Sequence, residues 1–156
     1  MKYTILLCIL FAASVTDIKT FRIPNSIILT GLLFAAAFMI PHPSNLGWFL
    51  LSVAGLFLLG LTGIFGAGDV KLWMVIAGFL GFLPSLFIFL AAQCLLFFYV
   101  LVSAPEKFGL SLTSPSATID WFRLRKVSGN YYPLAPFMFV ATAGWIILVI
   151  TGAVAW

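Results

Sequence analysis

Residues 46–83 read LGWFLLSVAGLFLLGLTGIFGAGDVKLWMVIAGFLGFL, two apolar runs parted by Gly66–Ala67–Gly68–Asp69, with Asp69 and Lys71 as the only charges. A helix needs roughly 20 apolar residues to cross the hydrocarbon of a bilayer, with short cases near 17. The first run, from about Leu46 to Phe65, meets that length; the second, from Val70 to about Leu83, is short and is expected to end at Pro84. Lipid offers no hydrogen bonds to exposed backbone, so such runs are expected to be helices.

Working outward, the same pattern recurs. Met1 to Ile18 is one apolar run, and Ser26 to Ile40 is a second. Between them lie Asp17, Lys19, Arg22 and Pro24, with Asn25 and Ser26 placed to cap the second helix. Pro41, His42, Pro43, Ser44 and Asn45 form a turn before the run described above. Ser85 to Ala104 and Pro133 to Trp156 complete six expected spans. A polar stretch from Pro105 to Tyr132 separates the last two, with a surface helix expected around Ile119 to Lys126. The expectation is one all-α, polytopic membrane domain over residues 1–156.

Composition agrees. Hydrophobic residues make up 63% of the chain and charged residues 8%, against about 45–50% and about 25% in soluble domains. Twelve charges, eight basic and four acidic, cannot clothe a water-facing surface of this size. The net charge of +4 comes from residues between apolar runs, where the positive-inside rule places them, so no nucleic-acid partner is expected. Cys8 and Cys94 both fall inside apolar runs and are expected to be small buried hydrophobes. With a single histidine and no paired cysteines, neither a metal site nor a cofactor is expected.

Orientation follows from counting. Lys19, Arg22, Lys71, Lys107, Arg123, Arg125 and Lys126 fall on one side of the expected spans, and only Lys2 on the other. The first side should be cytoplasmic, with both termini outside. Lys2, the following apolar run and Ala12–Ala13–Ser14 imitate a cleaved secretory leader. Lys19 and Arg22 directly after the run favour its retention. Trp48, Trp73, Trp145 and Trp156 lie near span ends, where interfacial anchoring accounts for them.

Asp17 and Asp69 carry the chemistry. An acid at the edge of a span is costly and points to function, the alternative being a solvated loop residue. Each is expected at the cytoplasmic end of a helix, so the two share a depth. Each is followed two residues later by a lysine, Lys19 or Lys71, placed either to orient a carboxylate or to reach the headgroups. Two close carboxylates share one proton and titrate as a pair, which lets one act as base toward water and the other as acid toward a peptide. Gly66 and Gly68 beside Asp69 would let an extended substrate approach main chain to main chain. The competing reading is a proton-coupled transporter using the same acids, which leaves those glycines without a purpose.

The motifs resemble a known family. Gly66–Ala67–Gly68–Asp69–Val70–Lys71 looks like the GxGD signature of membrane aspartic proteases, in its GxGDxK form. Asp17–Ile18–Lys19 followed by Ile23–Pro24–Asn25 resembles the first acidic motif of type IV prepilin peptidases. Tyr132–Pro133–Leu134–Ala135–Pro136–Phe137 is similar to their proline-containing segment before the last helix. The resemblance implies an aspartic endopeptidase of the cell inner membrane that cuts the basic leader of prepilin-like or preflagellin-like subunits at the cytoplasmic face. It implies Asp17 and Asp69 as the catalytic pair and Gly66 and Gly68 as signature glycines. Lys19, Lys71, Pro24, Asn25, Pro133 and Pro136 are its supporting positions. Bifunctional relatives carry an added cytoplasmic region with paired cysteines and methylate the new N-terminus. No such region is seen here, so methylation is not expected, and the chain is most similar to the short peptidases of tight-adherence (Flp-type) pilus systems.

Overall fold

The computed structural model describes residues 1–40, 43–62, 65–103, 126–127 and 130–154. Six helices lie among these residues: α1 (Lys2–Thr20), α2 (Asn25–Met39), α3 (Pro43–Leu61), α4 (Ala67–Leu80), α5 (Phe82–Ser103) and α6 (Ala135–Ile150). Two-residue strands β1 (Lys126–Val127) and β2 (Asn130–Tyr131) pair antiparallel, Lys126 opposite Tyr131. Lys126 is therefore extended, where a surface helix was expected to end; the rest of that helix, His42 and Trp156 lie outside the described residues.

α4 is the centre of the bundle. It packs against α1, α2, α3 and α5, and every residue from Leu72 to Phe79 is buried. A helix apolar all round has no face to give to solvent, and that is what its sequence shows. Its neighbours bury one stripe each. α1 turns Leu6, Ile9, Leu10, Ala13 and Asp17 inward at helical spacing, and α5 does the same with Ile88, Ala92, Leu96 and Val100. Cys8 and Cys94 lie on the opposite sides of those two helices and are exposed, not buried as expected. Apolar character alone did not place them; the phase of the stripe does.

Several boundaries also differ from the sequence expectation. α4 stops at Gly81, whose φ of 92° breaks the helix before Pro84 is reached. Pro84 instead sits in the first turn of α5, where its missing N–H is no loss. Trp73 is not an interfacial anchor: it is only 4% exposed, stacks on Phe89 with ring centroids 4.3 Å apart, and donates Nε1–H to Ser85 Oγ at 3.1 Å. Trp48 is 72% exposed.

By length and composition two helices, α1 and α5, are able to cross a membrane. The 14 residues of α4 rise only about 21 Å, short of a hydrocarbon core of about 30 Å. The outer faces of the bundle remain apolar. Leu29 and Leu33 of α2, Leu50 and Leu58 of α3, Phe87 and Phe98 of α5 and Ile147 of α6 are all exposed.

Candidate active site at the start of α4

Among the described residues, five polar side chains are buried: Ser14, Asp17, Asp69, Ser85 and Thr142. The three hydroxyls return a hydrogen bond to their own chain, Ser14 to Leu10 O, Thr142 to Met138 O and Ser85 to Phe82 O, each at 2.7 Å. The two acids are different in kind, because burying a carboxyl is far more costly than burying a hydroxyl. Asp17 is 1% exposed and Asp69 2%.

The helix register sets where they lie. Ile9 of α1 and Val75 of α4 meet at Gly31 of α2, where a methyl group would lie 3.3 Å and 2.8 Å from them. Beyond the end of α1, Ile23 lies against Gly68. Chain numbers rise along α1 as they fall along α4, so the two helices are antiparallel. From the Ile9–Val75 level, Asp17 lies about 12 Å and Asp69 about 9 Å toward the same end, at 1.5 Å per residue. Both acids therefore lie toward the same end of the α1–α4 pair.

Each acid is fixed by its local chain. Asp17 closes α1 one turn before Phe21, a left-handed residue (φ 52°) whose N–H returns to Asp17 O. This reversal carries Ile23 back toward Gly68. Asp17 Oδ2 accepts the backbone N–H of Ala135 at 3.1 Å, so the carboxyl sits at the first turn of α6, where unsatisfied N–H groups collect. Asp69 lies within the first turn of α4, not in a loop before it, and acids are favoured there. Gly66 is the N-cap residue of α4, and its C=O accepts the N–H of Asp69 and of Val70.

The supporting positions divide. Lys71 Nζ donates to Asn25 Oδ1 at 2.8 Å, joining the start of α2 to the first turns of α4. Asn25 therefore does not cap its own helix, as the sequence suggested; Pro24 is the N-cap residue and no side-chain cap bond forms. Lys19 is exposed in the last turn of α1. Pro133 and Pro136 are half-buried, and Pro136 falls in the first turn of α6 directly after Ala135. Gly68 is half-buried, and a methyl group there would make ordinary contact with Ile23 at 3.8 Å. Among the described residues, packing does not demand glycine at that position. The Ala135 amide was not legible in the sequence, since a main-chain donor has no residue type. Its signal was indirect: a proline one residue later marks a helix start.

A family model describing the type IV leader peptidase family matches residues 4–101. The chain belongs to the type IV leader peptidase family. The match includes Asp17, Pro24, Asn25, Gly66, Gly68, Asp69 and Lys71, and stops within α5, short of Pro133 and Pro136. No curated protein and no solved structure matches the chain. Membership of a leader peptidase family gives the chain its reaction class, cleavage of a peptide.

Proposed function

We propose that this chain is a membrane aspartic endopeptidase that removes the leader of prepilin-like subunits, with Asp17 and Asp69 as its catalytic pair. The observation that carries the reading is the burial of two acids at one end of the antiparallel α1–α4 pair, in a chain of the leader peptidase family. In this reading the two carboxyls hold one proton between them. The ionised member takes a proton from water, which attacks the scissile carbonyl. The protonated member polarises that carbonyl and then gives a proton to the leaving amine. The half-buried Gly68 leaves room beside Asp69 for a substrate backbone.

The membrane setting belongs to the same proposal. The exposed apolar faces of α2, α3, α5 and α6 are covered by lipid in this reading, because soluble monomers seldom expose such continuous apolar area. In this reading the aspartate end faces the cytoplasm and both termini lie outside, which the seven-to-one distribution of basic residues supports. The six helices then act as one membrane-embedded unit, and the substrate class is the basic leader joined to an apolar helix.

The test is incubation of the purified protein with a candidate prepilin in detergent, followed by the mass of the product. A new N-terminus at the end of the basic leader is expected. An intact substrate across a panel of prepilin-like proteins, with correctly folded enzyme, would remove the reading.

A further inference from the structure

At the end of the bundle away from the aspartates lies a second concave site. The start of α1, the end of α2, the first half of α3 and the α4–α5 corner line an open cavity of about 530 Å³. Its walls include Trp48, Phe49 and Phe82, with Ser52 on one side, Gly81 at the corner and, among the described residues, Lys2 contributing the only charged side chain. Volumes of roughly 300–1,000 Å³ with apolar walls and few polar groups are typical of small-ligand sites.

The chain keeps this space open for identifiable reasons. Gly81 turns α4 into α5 at a φ of 92°, which L side chains rarely adopt, so no side chain fills the corner. Gly78 lets Phe49 and Ala35 approach so closely that a methyl group there would lie 2.8 Å from each. Phe49 thereby packs against α4 at Gly78. Lys2 is half-buried at the rim, its Nζ 5.2 Å from the Tyr3 ring centroid. No acid is found at this end among the described residues: Asp17 and Asp69 both lie at the other. Lys2 is also the one basic residue that runs against the charge bias of the sequence.

A cation at the mouth of an apolar cavity selects a ligand with an anionic head and an apolar body. We infer that this cavity binds one anionic phospholipid, its phosphate at Lys2 and an acyl chain along Trp48, Phe49 and Phe82. Charge complementarity chooses the head, and the apolar walls choose the tail over a free phosphate. The inference stands apart from the peptidase reading, because it concerns the opposite end of the bundle and its readout is lipid retention.

The experiment is native mass spectrometry of the purified full chain in a non-ionic detergent, with added phosphatidylglycerol, phosphatidylcholine or inorganic phosphate. Wild type should retain one phosphatidylglycerol, at least tenfold in preference to phosphatidylcholine, and no inorganic phosphate. Lys2→Gln should lose that preference, and Lys2→Arg should keep it. Ser52→Trp, which fills the cavity and leaves Lys2 in place, should lose the bound lipid as well. Equal retention of phosphatidylcholine, or a phosphatidylglycerol adduct unchanged in both Lys2→Gln and Ser52→Trp, would overturn the assignment. Circular dichroism of each variant separates loss of binding from loss of fold, and Lys2→Gln at the chain's edge keeps the test open should Ser52→Trp fail to fold.

Discussion

Asp17 Oδ2 accepts the backbone N–H of Ala135 at 3.1 Å, tying the end of the first helix to the start of the last across 118 positions of sequence. This bond separates two substitutions that are usually treated alike. In Asp17→Asn the side-chain carbonyl oxygen still accepts the amide, so the fold should persist while the acid–base function is lost. Leader cleavage should fall by roughly 100- to 10,000-fold, the range for a general acid or base. In Asp17→Ala the amide is left buried without an acceptor, at a further cost of about 1–3 kcal/mol. Its thermal unfolding temperature should drop, and that of Asp17→Asn should not. Asp69→Asn should match Asp17→Asn in activity. Wild-type cleavage rates in either Asn variant would end the two-aspartate mechanism.

The rate should depend on pH in a characteristic way. A pair that works with one proton between its members fails when both are protonated and fails again when both are ionised. Cleavage rate plotted against pH is expected to rise and then fall, with the whole curve belonging to the pair and not to either residue. A profile that stays level through the acidic range, with chemistry rate-limiting, contradicts a shared proton.

The Lys71–Asn25 bond joins two motifs that are 46 residues apart. It lies at the surface, so its contribution is modest, and hydrogen bonds to exposed charges are weakened by solvent. A double-mutant cycle with Asn25→Ala and Lys71→Met should give a coupling of about 0.5–1 kcal/mol in stability. Strictly additive losses would mean that the contact does not hold α2 to α4.

Much of the fold was readable because apolar runs and their breakers are strong signals. The six helices fall on the six runs, although α3 already starts at Pro43 within the expected turn, and Pro24 marks the start of α2. Features that depend on helix phase were harder to see. Cys8 and Cys94 face outward because they fall between the buried positions of their helices, and Trp73 faces inward because α4 is enclosed from Leu72 to Phe79. Proline breaks helices, so the sequence reads Pro84 as a stop, yet Gly81 already ends α4 and proline is welcome in a first turn. At the site, Asp17 and Asp69 were legible from the cost of placing acids beside apolar runs. Ala135 was not, because its contribution is a backbone amide brought in from a distant segment.

Two glycines of α4 offer the sharpest contrast between packing and function. At Gly78 a methyl group would lie 2.8 Å from Ala35 Cβ and 2.8 Å from Phe49 Cε2. Ala35 Cβ is fixed to the α2 backbone and has no rotamer by which to withdraw. Overpacking of this kind costs about 1–3 kcal/mol, enough to outweigh the gain of about 1 kcal/mol in helix propensity from Gly to Ala. Gly78→Ala should therefore unfold at a lower temperature. Among the described residues Gly68→Ala meets only Ile23, at an ordinary 3.8 Å, and should be as stable as wild type or more so. If the substrate main chain passes beside Asp69, the added methyl occupies that path, and cleavage should fall by roughly tenfold or more, equivalent to ~1.4 kcal/mol in the barrier. Thermal unfolding and leader cleavage measured on the same two variants should thus move in opposite patterns. A Gly68→Ala enzyme that cleaves at the wild-type rate would show that substrate does not approach the backbone there.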